Sequence, residues 1–221
     1  MTRTAQAAPR SALSRLTLGS DPVRRAIYIV GMLPAIWYFY RGFTDQLGVD
    51  PQNVLERALG LWALRFLIAS LAISPLRRLG GPNLIRYRRA VGLLAFYYAL
   101  LHVSVYVLLD QQLDFAAIWA DISKRPYIMF GLLAFAIFVP LAVTSNTPMI
   151  RRLGRRWNTL HRFLYVAAVA AVLHFILLVK VWQVEMLIYA ACVTVLLAFR
   201  LQQSIAKRFG SKPKLQRSRR A

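Results

Sequence analysis

Six long apolar stretches, separated by short polar connections, constrain this chain more than any other feature of its sequence. They cover approximately residues 26–40, 58–76, 90–109, 127–144, 160–179 and 183–199. The hydrocarbon core of a bilayer is about 30 Å thick, and about 20 helical residues are needed to cross it. Most of the stretches approach this length, and they are continuously apolar rather than alternating, which favours helices over a β-barrel. The sequence therefore predicts an all-α, polytopic membrane protein with a bundle of six transmembrane helices.

The charged residues are divided unevenly among the connections. The chain has 29 Lys and Arg residues against 8 Asp and Glu residues, a formal net charge of +21. The basic residues cluster in both tails and in the connections 77–89 and 151–162, whereas the other three connections hold most of the acids. The positive-inside rule then predicts that both termini are cytoplasmic. Basic clusters between apolar runs also favour a lipid bilayer over nucleic acid as the partner of this charge.

The predicted organisation is one transmembrane domain over 24–203, flanked by basic cytoplasmic tails at 1–23 and 204–221. Two arginines before the first apolar stretch could mark a signal peptide, but no convincing small-x-small cleavage pattern follows, which favours a retained helix. No Gly-rich nucleotide-binding pattern is present, and no cytosolic nucleotide-binding domain is expected. The single cysteine, Cys192, argues against an internal disulfide or a cysteine-based metal site.

The candidate functional residues are the three histidines, His102, His161 and His174. Ionisable side chains inside membrane helices are costly and are functional candidates by default. In the predicted topology, His102 and His174 both lie roughly 18–21 Å above the cytoplasmic ends of their helices. They can therefore face each other in the periplasmic half of the bilayer. His161 lies ~20 Å below His174, at the cytoplasmic edge, and about 140° away from it on an ideal helix.

Two facing imidazoles fit a haem better than a hydrolytic metal ion. Zinc would require a third or fourth protein ligand, and no carboxylate or thiolate lies near these histidines in sequence. A six-coordinate b-type haem needs only two axial imidazoles and uses its iron for electron transfer. Helix packing without a cofactor is the simpler alternative. Arg65, the other charge within a predicted helix, falls near the same level, where it could bind a haem propionate or extend to the interface.

Four motifs resemble the ferric-reductase-like transmembrane family: SPLRR (74–78), RRAVGLLAFYYALLHVSVY (88–106), PLAVTSN (140–146) and RRLGRRWNTLHRFLY (151–165), the last followed by His174. The resemblance covers about residues 25–200. Within the family, the motifs are similar to those of the haem-binding membrane subunits of periplasmic protein-methionine-sulfoxide reductases. By this resemblance, His102 and His174 match the axial pair of the periplasmic-side haem, and His161 matches the cytoplasmic-side histidine.

The resemblance implies a multi-pass protein of the bacterial inner membrane that transfers electrons, with the catalytic site on a separate subunit. It implies haem b, one group with a second left open, and it associates the family with FMN, for which no residues here can be assigned. Electrons would come from the quinone pool or a cytoplasmic flavin reductase. They would pass to a periplasmic molybdopterin-containing reductase, the other half of a heterodimer, which repairs methionine sulfoxide in oxidised proteins.

The sequence departs from the eukaryotic members of this family at one place. NADPH oxidases and ferric reductases carry a further histidine earlier in the third helix, where this chain has Arg88 and Arg89. A second bis-histidine haem is therefore unsupported, and three roles stay open for His161: a haem with a different second ligand, flavin or quinone binding, or a propionate contact. Two other functions stay open for the chain: a stand-alone ferric or oxygen reductase, and a transporter, although no inverted repeat is visible.

Overall fold

The computed structural model describes residues 22–178 and 183–209, which form α-helices, turns and loops with no β-strand. The helices are Pro22–Phe43 (α1), Pro51–Arg78 (α2), Arg88–Val105 (α3), Phe115–Lys124 (α4), Pro126–Val143 (α5), Thr147–Leu153 (α6), Arg155–Leu160 (α7), Phe163–Leu178 (α8) and Val184–Phe209 (α9). A 3-10 turn at Ile85–Tyr87 precedes α3, and a π-helical turn at Tyr106–Asp110 continues it. The all-α prediction is confirmed over this range. Most of the two predicted tails, residues 1–21 and 210–221, lies outside the described residues.

Within the described residues, five helical segments are long and apolar enough to cross a membrane. They are Pro51–Arg78, Ile85–Asp110, Pro126–Val143, Arg155–Leu178 and Val184–Gln203. The sixth predicted span corresponds to α1, which has 22 residues but is not among these segments. Its interior contains Pro34, three tyrosines and one tryptophan, and these lower its mean hydropathy. The structure therefore supports a multi-pass membrane protein with five such spans in this range.

The start of α2 is determined by capping rather than by hydrophobicity. Asp50 accepts a hydrogen bond from the backbone N–H of Asn53 at 3.2 Å, and Pro51 occupies the first turn, where its fixed φ suits a helix. As a result α2 begins before the apolar stretch predicted at 58–76. Glu56, which the sequence pattern places in a connection, therefore lies within the helix.

A short helix, α4, occupies a connection in which the sequence showed no recognisable motif. The Asp114 carboxylate caps it by accepting hydrogen bonds from the N–H groups of Ala116 at 2.9 Å and Ala117 at 3.0 Å. Phe115 and Trp119, one turn apart, both have 72% of their surface exposed. Tryptophan is typical of a membrane interface.

Two antiparallel helix pairs, α2 with α3 and α5 with α8, form the centre of the bundle. In the first pair, the Ser70 hydroxyl donates to the Arg88 carbonyl at 3.4 Å near the end of α2 and the start of α3. We call the other end, where α2 and α5 begin and α3 and α8 end, the histidine-pair end. A buried core joins the two pairs and α9: Leu64, Leu67, Leu71, Ala95, Phe138, Ala167, Ala168, Val172 and Val193. Its alanines allow the helices to approach closely.

The first helix, α1, is attached to α3 through the hydroxyl of Tyr98. This hydroxyl donates to the Gly31 carbonyl at 2.7 Å and accepts from the Ala35 N–H at 3.0 Å, so it lies between two groups that would otherwise bond each other. Pro34, in the same turn, has no N–H and already weakens the ladder. Tyr98 is fully buried. One side chain of α3 therefore completes the backbone hydrogen bonding of α1.

Candidate functional site

His102 on α3 and His174 on α8 lie next to each other at the histidine-pair end. Their ring centroids are 6.1 Å apart and their planes make an angle of 75°. The proximity expected from their positions in the sequence is therefore present. It arises because α3 and α8 each pack in an antiparallel pair and both end on this side of the bundle.

Each ring is held by a backbone carbonyl of the helix beside it. His102 Nδ1 is 2.9 Å from the Glu56 carbonyl oxygen on α2, and His174 Nδ1 is 2.7 Å from the Tyr127 carbonyl oxygen on α5. A carbonyl oxygen only accepts hydrogen bonds, so Nδ1 must carry the proton in both rings. In a neutral imidazole the lone pair then lies on Nε2. Both histidines are therefore in the tautomer that binds a metal through Nε2.

The Glu56 side chain is a neighbour that sequence reasoning missed. Its Oε1 lies 4.0 Å from Nε2 of His102, beyond hydrogen-bonding distance. No carboxylate lies near the histidines in the sequence, as stated above, but the folded chain brings the carboxylate of Glu56 close to His102. Glu56 was missed because the predicted apolar stretch begins at residue 58, whereas the cap at Asp50 starts α2 at Pro51, so that Glu56 lies in its first turns. The Asp50-Pro51 pair was the signal in the sequence that could have revealed this.

Arg65 lies deeper along α2 and contacts α9. Its Nε donates to the Tyr189 hydroxyl at 2.8 Å, and its Nη2 is 3.5 Å from Oε1 of Glu185. The guanidinium also lies over the Trp62 ring, 5.0 Å from its centroid. Glu185 is thus a counter-ion of Arg65, as a charged side chain within a membrane helix requires. A propionate contact of Arg65 stays a prediction.

His161 lies at the opposite end of the bundle, in a turn between α7 and α8. The apolar stretch 160–179 predicts one helix, but α7 ends at Leu160 and α8 begins at Phe163, with a turn between them. The helix that contains His174 therefore begins at Phe163, three residues after the start of the predicted stretch, and His161 lies outside it. The 140° separation derived for His161 and His174 does not apply, because it assumed an ideal helix.

The ring of His161 is held within its own short segment. It stacks on Trp157 with 3.8 Å between centroids, and its Nδ1 lies 3.1 Å from the Trp157 carbonyl oxygen. Its Nε2 is 3.3 Å from the Ser145 hydroxyl, just beyond the end of α5. Tyr127 and Ser145 are separated by roughly 27 Å of helix at 1.5 Å per residue. His161 therefore cannot share one metal ion with the other two histidines.

The region around His161 is basic. Arg88, one of the two residues at which the sequence departs from the eukaryotic pattern, interacts with Tyr165 on α8, and Arg200 donates to the same hydroxyl at 2.5 Å. The guanidinium groups of Arg88 and Arg200 therefore both interact with the hydroxyl of Tyr165. Within residues 22–178 and 183–209, no group of three or more His, Cys, Asp or Glu side chains is arranged to hold a metal ion.

Comparison with known proteins identifies a family and several relatives of this chain. The family model described as the ferric reductase like transmembrane component matches residues 58–172, a range that contains His102 and His161 and ends two residues before His174. The chain is also similar to the protein-methionine-sulfoxide reductase heme-binding subunits MsrQ of Brucella ovis and Brucella canis. Each is 53% identical over 175 residues, which is 79% of this chain and 80% of the relative.

Proposed function

Since the chain belongs to the ferric-reductase-like transmembrane family, we propose that it is a membrane haem electron-transfer subunit of a protein-methionine-sulfoxide reductase system. The observation that carries the proposal is the juxtaposition of His102 and His174. Both rings offer Nε2, and they come from helices on opposite sides of one site. The relatives, 53% identical to this chain, are named as heme-binding subunits.

The two histidines fit a haem by a simple distance test. Bonds between a metal ion and imidazole nitrogen are about 2 Å long, so two imidazoles on opposite sides of one ion would have ring centroids roughly 6 Å apart. The observed separation of 6.1 Å meets this value. A haem ligated in this way supplies reversible one-electron transfer at its iron.

The protein's own residues hold and orient the site. The Glu56 and Tyr127 carbonyls fix the two rings and keep the protons on Nδ1. The site lies among apolar helices, which exclude water from a macrocycle bound there. Arg65 lies about 7.5 Å along α2 from Gly60, a residue that packs on His102, and we propose that one of its remaining donors binds a propionate.

The charge distribution supports a topology of six spans, α1 included, with both termini in the cytoplasm of a bacterium. The histidine-pair end carries acidic residues at or near the ends of its helices, namely Asp50, Glu56, Asp110, Asp114 and Asp121. The opposite end carries arginines: Arg77, Arg78, Arg86, Arg88, Arg89, Arg151, Arg152, Arg155 and Arg156. By the positive-inside rule the arginine end faces the cytoplasm. The histidine pair then lies toward the periplasm, as an inner-membrane donor to a periplasmic partner requires.

We propose that the partner is the molybdopterin-containing catalytic subunit that reduces methionine sulfoxide, joined to this chain in a heterodimer. Reduction of one sulfoxide to the sulfide consumes two electrons and two protons and releases water, so two electrons must cross this chain per turnover. Quinol or a cytoplasmic flavin reductase is the proposed source, and FMN is a proposed second cofactor. His161 lies at the arginine end, where we propose that electrons enter the chain.

Absorption spectroscopy of the purified chain tests this function. We expect a Soret band and, after reduction, a sharp α band of low-spin haem b. His102→Ala and His174→Ala should each lose most of both bands, because each removes one axial ligand. Cys192→Ser, a change at an exposed cysteine of α9, is the matched control and should retain them. Unchanged spectra in both histidine variants would rule out the assigned ligands.

A further inference from the structure

Two glycines, Gly60 on α2 and Gly131 on α5, lie directly against the rings of the histidine pair. A Cβ atom added to Gly60 would lie 3.1 Å from Nδ1 and 3.2 Å from Cε1 of His102. A Cβ added to Gly131 would lie 2.8 Å from Nδ1 and 3.0 Å from Cε1 of His174. Of the glycines in the part of the chain that the structure describes, only these two lie against a histidine ring.

The glycines occupy equivalent positions relative to the carbonyls that hold the rings. Gly60 follows Glu56 by four residues, and Gly131 follows Tyr127 by four residues. In an α-helix the carbonyl of residue i bonds the N–H of residue i+4, and the side chain at i+4 lies beside that same carbonyl. A carbonyl oxygen has a second lone pair, but a side chain at i+4 restricts access to it.

We propose that Gly60 and Gly131 are positioning residues that orient the two axial histidines. Each leaves the carbonyl one turn earlier open, so that an imidazole Nδ1–H can reach its second lone pair. The same arrangement occurs twice, on α2 for His102 and on α5 for His174, from helices that are far apart in sequence. This inference rests on the proposed haem function. It goes further by naming the residues that determine the orientation and hydrogen bonding of His102 and His174.

His161 provides an internal contrast. Its Nδ1 lies against the carbonyl of Trp157, four residues earlier in its own segment, and its ring stacks on that tryptophan. The neighbouring helix α5 contributes a backbone contact from Leu141, but the residue four positions later is Ser145 rather than a glycine. The carbonyl-and-glycine arrangement is therefore specific to the histidine pair and does not accompany every histidine of the fold.

The proposed arrangement should also affect the reduction potential of the haem and the affinity of the site for it. A hydrogen bond from Nδ1–H to a carbonyl makes the imidazole a more basic ligand, which stabilises ferric over ferrous iron. A Cβ that displaces the ring weakens this bond. We therefore expect the reduction potential to rise and the metal affinity to fall, the latter by roughly 10–100-fold as for other changes in groups that orient a ligand.

Gly60→Ala and Gly131→Ala in the full-length, haem-loaded protein test this proposal. Alanine is the better helix former by about 1 kcal/mol, so neither change disfavours its helix intrinsically. Gly92→Ala on α3 is the matched control, because its added Cβ meets only the Ser70 hydroxyl, at 3.4 Å. The readouts are haem per protein, the midpoint potential from a redox titration and the EPR g values of the ferric haem.

We expect Gly131→Ala to have the larger effect, with lower haem content, a raised potential and shifted g values. Gly60→Ala should bind haem with a smaller shift of the same sign, because its contacts need only a few tenths of an ångström of relief. This milder variant keeps the test valid if Gly131→Ala folds poorly. Wild-type potential and g values in Gly60→Ala, together with wild-type haem content in Gly131→Ala, would overturn the proposal. Retention of haem by His102→Ala and His174→Ala would instead refute the proposed ligands.

Discussion

Replacing Tyr98 with phenylalanine removes one oxygen atom from the contact between α3 and α1. That oxygen is the acceptor for the Ala35 N–H and the donor to the Gly31 carbonyl. The phenylalanine ring still fills the same fully buried space, among residues that include Trp62 and Phe66. The substitution therefore tests the hydrogen bonds of the hydroxyl with little change in packing.

The expected cost follows from the two backbone groups left behind. A buried donor or acceptor without a partner costs about 1–3 kcal/mol. Ala35 N–H and the Gly31 carbonyl would normally bond each other, so a partial straightening of α1 recovers some of the loss. Pro34 opposes that recovery, because its ring clashes with a carbonyl of the preceding turn. We therefore expect the free energy of unfolding to fall by about 1–3 kcal/mol.

Unfolding by SDS in mixed micelles, followed by circular dichroism at matched haem occupancy, measures this difference. Tyr97→Phe is the matched control, since Tyr97 is the adjacent tyrosine and has 41% of its surface exposed. It should unfold like the wild type. If Tyr98→Phe is also within about 0.5 kcal/mol of the wild type, the hydroxyl does not complete the α1 backbone and the reasoning fails.

Three further predictions concern the cap of α4, His161 and the topology. Asp114→Ala should destabilise α4 by about 0.5–2 kcal/mol through loss of its N-cap, seen as faster hydrogen exchange confined to α4 amides; uniform exchange rates would contradict it. His161→Ala should retain the EPR signal of the haem held by the histidine pair, because it lies at the other end of the bundle, and loss of that signal would disprove the separation. In a Cys192→Ser background, a membrane-impermeant maleimide applied to the periplasmic face should label Asp45→Cys and spare Arg151→Cys. The reverse labelling would invert the topology.

The sequence was sufficient to predict five membrane-spanning helices and the proximity of His102 and His174, because both depend on local or periodic signals. Apolar length predicts membrane helices, and equal depth in two helices of the same direction predicts that His102 and His174 meet. His102 lies on α3, which packs antiparallel to α2, and His174 lies on α8, which packs antiparallel to α5. These features required no knowledge of particular long-range contacts.

Contacts between distant segments could not be predicted in this way. Arg65 meets Tyr189 across 124 positions, and no pattern in either helix specifies that pairing. The break after Leu160 contains neither proline nor glycine, and it coincides with the stacking of His161 on Trp157. The extension of α2 was indicated locally, by Asp50 and the proline that follows, but hydrophobicity alone could not reveal it.

The central claim, that the haem held by His102 and His174 delivers electrons to a methionine sulfoxide reductase, is tested most directly by reoxidation of that haem. The chain is reduced anaerobically in proteoliposomes, and its α band is followed after addition of the periplasmic catalytic subunit and a protein containing methionine sulfoxide. We predict that the band decays only when both are present, with two haem oxidations for each sulfoxide reduced. A band that persists with both present, yet decays on addition of a ferric chelate alone, would contradict the account.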